Sequence, residues 1–184
     1  NSWIKNGYEF HLWLYDDIEV PNGVVVKNAN DIVSLDQYFT YTKGHTKNTP
    51  VAFSNLFRAH LLYKLSGLYV DLDVLCIQPQ NFTERFVFTE QGHKLSDYHV
   101  GTCLIYTQDK GEQIFEDWID WIDSQKRFMG SVSHGGLGPD LFTKLVIEHD
   151  LKEYVLDKKY YCATDYDKYQ NGLKYKKFVL NYPN

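Results

Sequence analysis

The stretch 51–77 constrains the fold more than any other. Behind Pro50, whose missing N–H costs nothing at a helix start, Phe53, Leu56, Phe57, Leu61 and Leu65 recur at helical spacing. Ser66-Gly67 stops that helix, with Gly67 suited to the left-handed residue after the last turn and a Ser at 66 tolerable as long as its φ stays negative. From 68 to 77 the apolar period falls to two, which predicts a strand ending at Gln78-Pro79. So short a connection returns the chain beside the helix it has just left.

Elsewhere strands and helices keep alternating. Residues 9–15 alternate as a strand ending in Asp16-Asp17. Pro21-Asn22-Gly23 is a turn, and the continuous run Val24-Val25-Val26 predicts a short strand buried on both faces. The Asn28-to-Asn30 segment is suited to cap a helix through Ile32, Leu35 and Phe39, followed by a polar loop over 43–48. Strands are expected at 86–89 and 100–106. Residues 112–124 form an amphipathic helix with Ile114, Phe115, Trp118, Ile119 and Ile122 inward and Glu116, Asp117, Asp120 and Asp123 solvated. A glycine-rich loop over 130–138 leads to a helix over 139–149. The last 35 residues are rich in Tyr and Lys with weak periodicity. With no internal repeat or low-complexity linker, the pattern is that of one α/β domain spanning 1–184.

Composition excludes several classes. The chain is 43% apolar and 23% charged, enough for a real core. Its net charge is −5, and residues 150–184 set seven lysines against five acidic residues, too meagre for a nucleic-acid grip. The same tail offers an anionic membrane or glycan only a weak peripheral contact. No apolar run approaches the roughly 18 residues of a membrane span. Three scattered cysteines (Cys76, Cys103, Cys162) form neither a disulfide framework nor a zinc motif, which fits a reducing, cytoplasmic setting. The sequon Asn81-Phe82-Thr83 matters only in a secreted protein.

The chemistry concentrates in 52–79. On a strand, Leu68, Val70, Leu72 and Val74 point inward together, and Asp71 and Asp73 project side by side on the other face. Two carboxylates so close repel unless something positive lies between them, and a hard divalent cation, Mg²⁺ or Mn²⁺, meets that need. The alternative is a solvated acidic hairpin edge. Ser54, Asn55 and Arg58 line one face of the preceding helix. Arg58 is placed to reach a phosphate, a sugar hydroxyl or an aspartate, and a purely structural Arg–Asp pair fits equally well. Trp3, Trp13 and Tyr15 are candidates to stack on a base or sugar, or else to fill the core. His134 either contacts phosphate or acceptor or simply faces solvent. Trp118 and Trp121 belong to core or to a partner surface.

The pattern Ala52-x-Ser54-Asn55-x-x-Arg58-x-x-x-Leu62-x-x-x-Ser66-Gly67-x-Tyr69-x-Asp71-x-Asp73 resembles the glycosyltransferase sugar-binding region with a DxD motif, whose members include capsular polysaccharide transferases and relatives of mannosyltransferases and glucosylating toxins. Ser2-Trp3-Ile4, His11-Leu12-Trp13 and the later Gly138-Pro139-x-x-x-Thr143 resemble further family segments, so the likeness covers about residues 1–145. It implies a GT-A fold with a mixed central sheet flanked by helices. It also implies metal-dependent, retaining transfer from a UDP-sugar to a glycan or lipid-linked saccharide acceptor, as in polysaccharide biosynthesis. By that pattern Asp71 contacts ribose and donor sugar, Asp73 binds the metal on the diphosphate, and Arg58 and Asn55 hold the sugar. Ser54, Tyr69, Gly138 and Pro139 complete the implied donor site.

The chain departs from the pattern at three places. Asn55 replaces Asp, Ser66 replaces the first Gly of a Gly-Gly pair, and Val100-Gly101-Thr102 lacks an Asn-Asn pair. The likeness further implies a first strand before Asn1 and a ligand-bearing segment after Tyr182-Pro183-Asn184. Two rivals remain: a binding module without turnover, and a DxD phosphohydrolase of the haloacid-dehalogenase type. The second is disfavoured by Leu75 and by the lack of a later Asp-Asp pair.

Overall fold

The computed structural model describes residues 1–91, 98–132 and 135–160. It is a mixed α/β arrangement of two sheets and four helices among these residues. Helix α1 (Ser2–Lys5) leads into β1 (Phe10–Leu14), which pairs in parallel with β2 (Val24–Asn28), Phe10 opposite Val24 and Leu14 opposite Asn28. Helix α2 (Val51–Leu65) then turns directly into β3 (Gly67–Val70). Strands β4 (Phe86–Glu90) and β5 (Val100–Thr107), helices α3 (Gln113–Gln125) and α4 (Pro139–Glu148), and the short β6 (Val155–Leu156) follow. The second sheet runs β3-β5-β4-β6, antiparallel except for the β4–β6 pair, so it is mixed.

Period and burial agree best where a helix covers this sheet. Ile114, Phe115, Trp118, Ile119 and Ile122 of α3 are all buried, as their spacing requires. They meet α4 and the sheet in an aromatic core. Trp118 lies 4.6 Å from Phe142 between ring centres, and Phe88 stands edge-on to Phe142 at 5.2 Å.

Several local expectations are corrected. The helix expected through Ile32, Leu35 and Phe39 is two single 3₁₀ turns, Ala29–Asp31 and Leu35–Gln37. Asn28 and Ser34 each accept a backbone N–H at the start of one turn, and such local side-chain bonds compete with helix propagation. Val26 is half exposed, because β2 carries a partner on one side only and its outer face is uncovered. The strand expected over 68–77 stops at Val70. Asp71 makes the last ladder bond, N–H to the Cys103 carbonyl at 2.8 Å, and the Val74 N–H then folds back to the Asp71 carbonyl at 3.0 Å. Leu72 is therefore 77% exposed rather than inward. Alternation continued past the point where paired backbone did, and two Asp residues suit a turn better than a strand.

Ser66 is also unlike its expectation. It sits at φ 59°, ψ −171°, a region that glycine occupies freely and L-residues rarely. Gly67 follows at φ 94°. The turn from α2 into β3 places both residues at positive φ, and only one of them is glycine.

Candidate active site

The α2–β3 unit builds the site. Helical spacing puts Ser54 and Arg58 one turn apart, and β3 brings Tyr69 and Asp71 alongside them. Arg58 is only 6% exposed. Its Nη1 donates to the Thr102 carbonyl and lies 3.2 Å from Asp71 Oδ1. Nε donates to the Ser54 carbonyl at 3.3 Å, Nη2 to Ser54 Oγ at 3.4 Å, and the guanidinium carbon lies 4.9 Å from the Tyr69 ring centre. A buried cation is tolerated when its donors are filled and a carboxylate stands beside it, and both hold here. Stacking on Tyr69 adds cation–π attraction.

The Tyr69 hydroxyl donates to the same Asp71 Oδ1 at 2.7 Å. Burial pushes the Tyr69 pKa well above its ordinary value, and the Asp71 carboxylate adds to the rise while Arg58 opposes it. The phenol accordingly stays protonated and keeps donating. Asp71 is thus fixed through one oxygen, while Oδ2 has no partner among the described residues. Asp73, two residues on in the turn, is exposed and its carboxylate has no partner among the described residues.

A second segment closes on α2 from the other side. The buried Trp118 Nε1 donates to the Leu137 carbonyl at 2.8 Å, which anchors the glycine loop. Gly138 packs on Asn55 so closely that a Cβ there would come 2.9 Å from Asn55 Oδ1. Asn55 is buried, and its Nδ2 donates to the Val51 carbonyl at 3.0 Å. Pro139 opens α4, and Thr143 Oγ1 ties that helix to β5 by accepting the Val100 N–H at 2.8 Å. At the start of β5, buried His99 meets Asp140 at 2.9 Å.

Ser54, Arg58, Tyr69 and Asp71 therefore meet in one place, with Asn55 next to Ser54 on α2, Gly138 packed against Asn55, and Asp73 on the adjoining turn. Of the partners left open for Arg58, an aspartate is the one it meets. What the sequence did not disclose is the Thr102 carbonyl on Arg58, since a backbone acceptor has no residue signature, and the His99–Asp140 pair, whose members lie 41 positions apart. Trp3 is buried with its indole N–H on the Val74 carbonyl at 2.9 Å, which gives it a structural role. Trp13 and Tyr15 line a pocket of about 220 Å³ with Tyr38, Phe53, Ser54 and Tyr69. His134 and the segment 161–184, with Cys162 and most of the lysine-rich tail, lie outside the described residues.

Among the described residues no three His, Cys, Asp or Glu side chains converge as a complete metal cage. Two carboxylates, one already half committed, fit a cation that takes its other ligands from phosphate and water, the usual habit of Mg²⁺. Nor is any helix of the described residues long and apolar enough to cross a membrane.

This arrangement is a DxD turn with an arginine and a tyrosine behind it. Residues 1–86 match the family described as glycosyltransferase sugar-binding region containing DXD motif, the family that the motif spacing resembles. Among solved structures the chain is similar to the PaToxG glycosyltransferase at 14% identity and a TM-score of 0.48. That likeness covers 84% of this chain and 53% of the other, so the chain spans about half the length of that structure. No curated protein sequence matches the chain.

Proposed function

We propose that the chain binds a nucleotide-sugar, with UDP as the nucleotide, together with Mn²⁺ or Mg²⁺, and transfers the sugar with retention to a hydroxyl of a glycan or lipid-linked saccharide. The observation that carries this reading is the unequal state of the two carboxylates. Asp71 is held by Arg58 and Tyr69 with Oδ2 open, and Asp73 is unpaired beside it. A cation held there acts as a Lewis acid toward the charge that builds on the departing diphosphate. Arg58 fixes Asp71 and supplies positive charge behind it, so that Asp71 is already oriented when donor arrives. Ser54, Tyr69 and the Gly138–Pro139 loop shape the floor against which the donor sugar rests, and Asn55 supports that loop from below.

Calorimetry with UDP in the presence and absence of Mn²⁺ tests the reading. Asp73→Asn is expected to abolish the metal-dependent part of UDP affinity while the fold stays intact. Metal-dependent affinity that survives the substitution overturns it. A second reading, donor binding without turnover, is favoured by Asn55, whose amide Nδ2 donates to its own helix and against which Gly138 packs. UDP-sugar hydrolysis in Mn²⁺ separates the two, because a binding module shows affinity and no product.

A further inference from the structure

One carboxylate beside the site is held much as Asp71 is. Asp140 stands in the first turn of α4, two residues after Gly138, and its Oδ1 meets Nε2 of the buried His99 at 2.9 Å. A carboxylate only accepts, so Nε2 carries the hydrogen. Oδ2 lies against the glycine loop, where a Cβ at Gly135 would come 3.1 Å from it. The Gly135 carbonyl in turn accepts the Gly138 N–H at 2.9 Å and the Asp140 N–H at 3.2 Å. The Asp140 side chain is nevertheless 50% exposed, against 8% for His99. The histidine is the inner member that holds, and the carboxylate is the outer member that is held.

This carboxylate borders the donor floor. Gly138 packs on Asn55, which precedes Arg58 by three residues on α2. The Thr102 carbonyl that receives Arg58 lies three residues after His99 along β5. Buried Tyr41 feels both charged groups: burial raises its pKa most, the Leu137 backbone opposes that, Asp140 adds to it, and Asn55 and Arg58 lower it.

A half-exposed pair contributes little to stability, and a buried imidazole costs free energy unless it is bonded. What the pair supplies is a carboxylate of fixed orientation, placed where the positive end of α4 favours negative charge. Such a group accepts hydrogen bonds from hydroxyls and repels a second anion. The ligand that suits it is neutral and hydroxylated.

We propose that Asp140, oriented by His99, is a specificity-determining residue of the donor site, accepting hydroxyls of a neutral hexose and rejecting a uronic acid. The inference rests on the sugar-transfer reading. Asp140 touches the sugar, whereas His99 acts through Asp140 and is a positioning residue.

Calorimetry in Mn²⁺ compares UDP, UDP-glucose and UDP-galactose with UDP-glucuronate and UDP-galacturonate, each uronate differing from its hexose only at C6. The parent chain is expected to bind at least one hexose donor about tenfold tighter than its uronate, or more. Asp140→Asn is expected to bring that pair within about twofold, with affinity for UDP alone moving less than the hexose preference does. His99→Leu should lose most of the preference, and His99→Gln, which keeps an N–H donor, should retain it. A parent chain that binds hexoses and uronates alike overturns the proposal without any variant. So does an Asp140→Asn loss shared equally by UDP and every donor, the mark of a structural role. Full preference in His99→Leu overturns the positioning role. A parent chain that binds no UDP gives a different result, since it removes the sugar-transfer reading itself and the part of Asp140 with it.

Discussion

Asp71 and Asp73 stand two residues apart and occupy opposite physical situations. Asp71 closes the last rung of β3, and its Oδ1 takes both the Arg58 guanidinium and the Tyr69 hydroxyl. Asp73 belongs to the turn beyond, in water, with no protein partner among the described residues. The difference teaches which of the two is part of the fold. The first carboxylate balances a buried cation, so that removing either member leaves an uncompensated charge. The second stands at a position where the fold gains nothing from it, which is where a ligand-binding group is expected.

The largest effect should come from breaking the buried side. Arg58→Met removes the one cation that meets Asp71 among the described residues and takes away the guanidinium donor to the Thr102 carbonyl. A loss of about 3–5 kcal/mol is expected in denaturant unfolding, the range for stranding one member of a buried pair. Adding Asp71→Asn should recover part of that loss, because the stranded charge disappears. If Arg58→Met costs no more than an exposed ion pair does, about 1 kcal/mol or less, the contrast between the two aspartates fails.

A smaller effect on the same side comes from Tyr69→Phe, which removes one donor to a charged acceptor and should cost about 1.5–3 kcal/mol. The phenol also sets a pH dependence. Burial raises the Tyr69 pKa above its ordinary value near 10, so the folded chain holds that proton more tightly than the unfolded chain does. Stability from this source is complete below about pH 10 and falls as pH rises through the folded pKa. Tyr41 is shifted in the same direction by burial, and Tyr15, whose hydroxyl donates to the Val33 carbonyl, is pushed up to about 12. Unfolding monitored by circular dichroism should therefore begin above pH 10, with a shallower onset in the Tyr69→Phe variant. An onset well below pH 10 would show that other groups control it.

The same contrast explains what the sequence disclosed. Helices α3 and α4 were legible because a 3.6-residue apolar period persists over ten or more residues, and α2 because Pro50 and Ser66-Gly67 bound its apolar run. The motif residues were legible as a set, since Ser54 and Arg58 are one turn apart and the connection to β3 is too short to lead elsewhere. The end of β3 was not legible. Leu72, Leu75 and Ile77 continue the alternation of a strand but are exposed, because backbone pairing and not side-chain pattern decides where a ladder stops. The 3₁₀ turns at 29–31 and 35–37 were missed for a related reason: Asn28 and Ser34 cap a single turn as readily as a helix. Thr102 and the His99–Asp140 pair reach the site or its surroundings through long-range packing, which a linear pattern does not encode.

Ser66 offers a gain rather than a loss. At φ 59° and ψ −171° it holds a conformation that costs a non-glycine residue of order 1–3 kcal/mol. Glycine relieves that strain but has more freedom to lose on folding, about 0.5–1 kcal/mol. Ser66→Gly should therefore raise stability by about 1 kcal/mol, read as a shift of the denaturant midpoint at unchanged slope. Destabilisation would mean that the Ser66 hydroxyl, bonded to the Leu65 carbonyl, outweighs the strain. Since the strained residue lies five positions before Asp71, the variant also asks whether the turn tolerates a looser approach, and UDP binding measured alongside stability answers that.

The smallest stability change belongs to Asp73→Asn. An exposed carboxylate without a partner contributes little to the fold, so denaturant unfolding should move by no more than about 0.5 kcal/mol in either direction. Mn²⁺ then separates the two aspartates most cleanly. With UDP present, the cation should raise the melting temperature of the parent chain and leave Asp73→Asn unchanged, because a ligand stabilises only the state that binds it. If both chains respond alike to metal and nucleotide, Asp73 is a solvated turn residue, and the division of labour between the two carboxylates disappears.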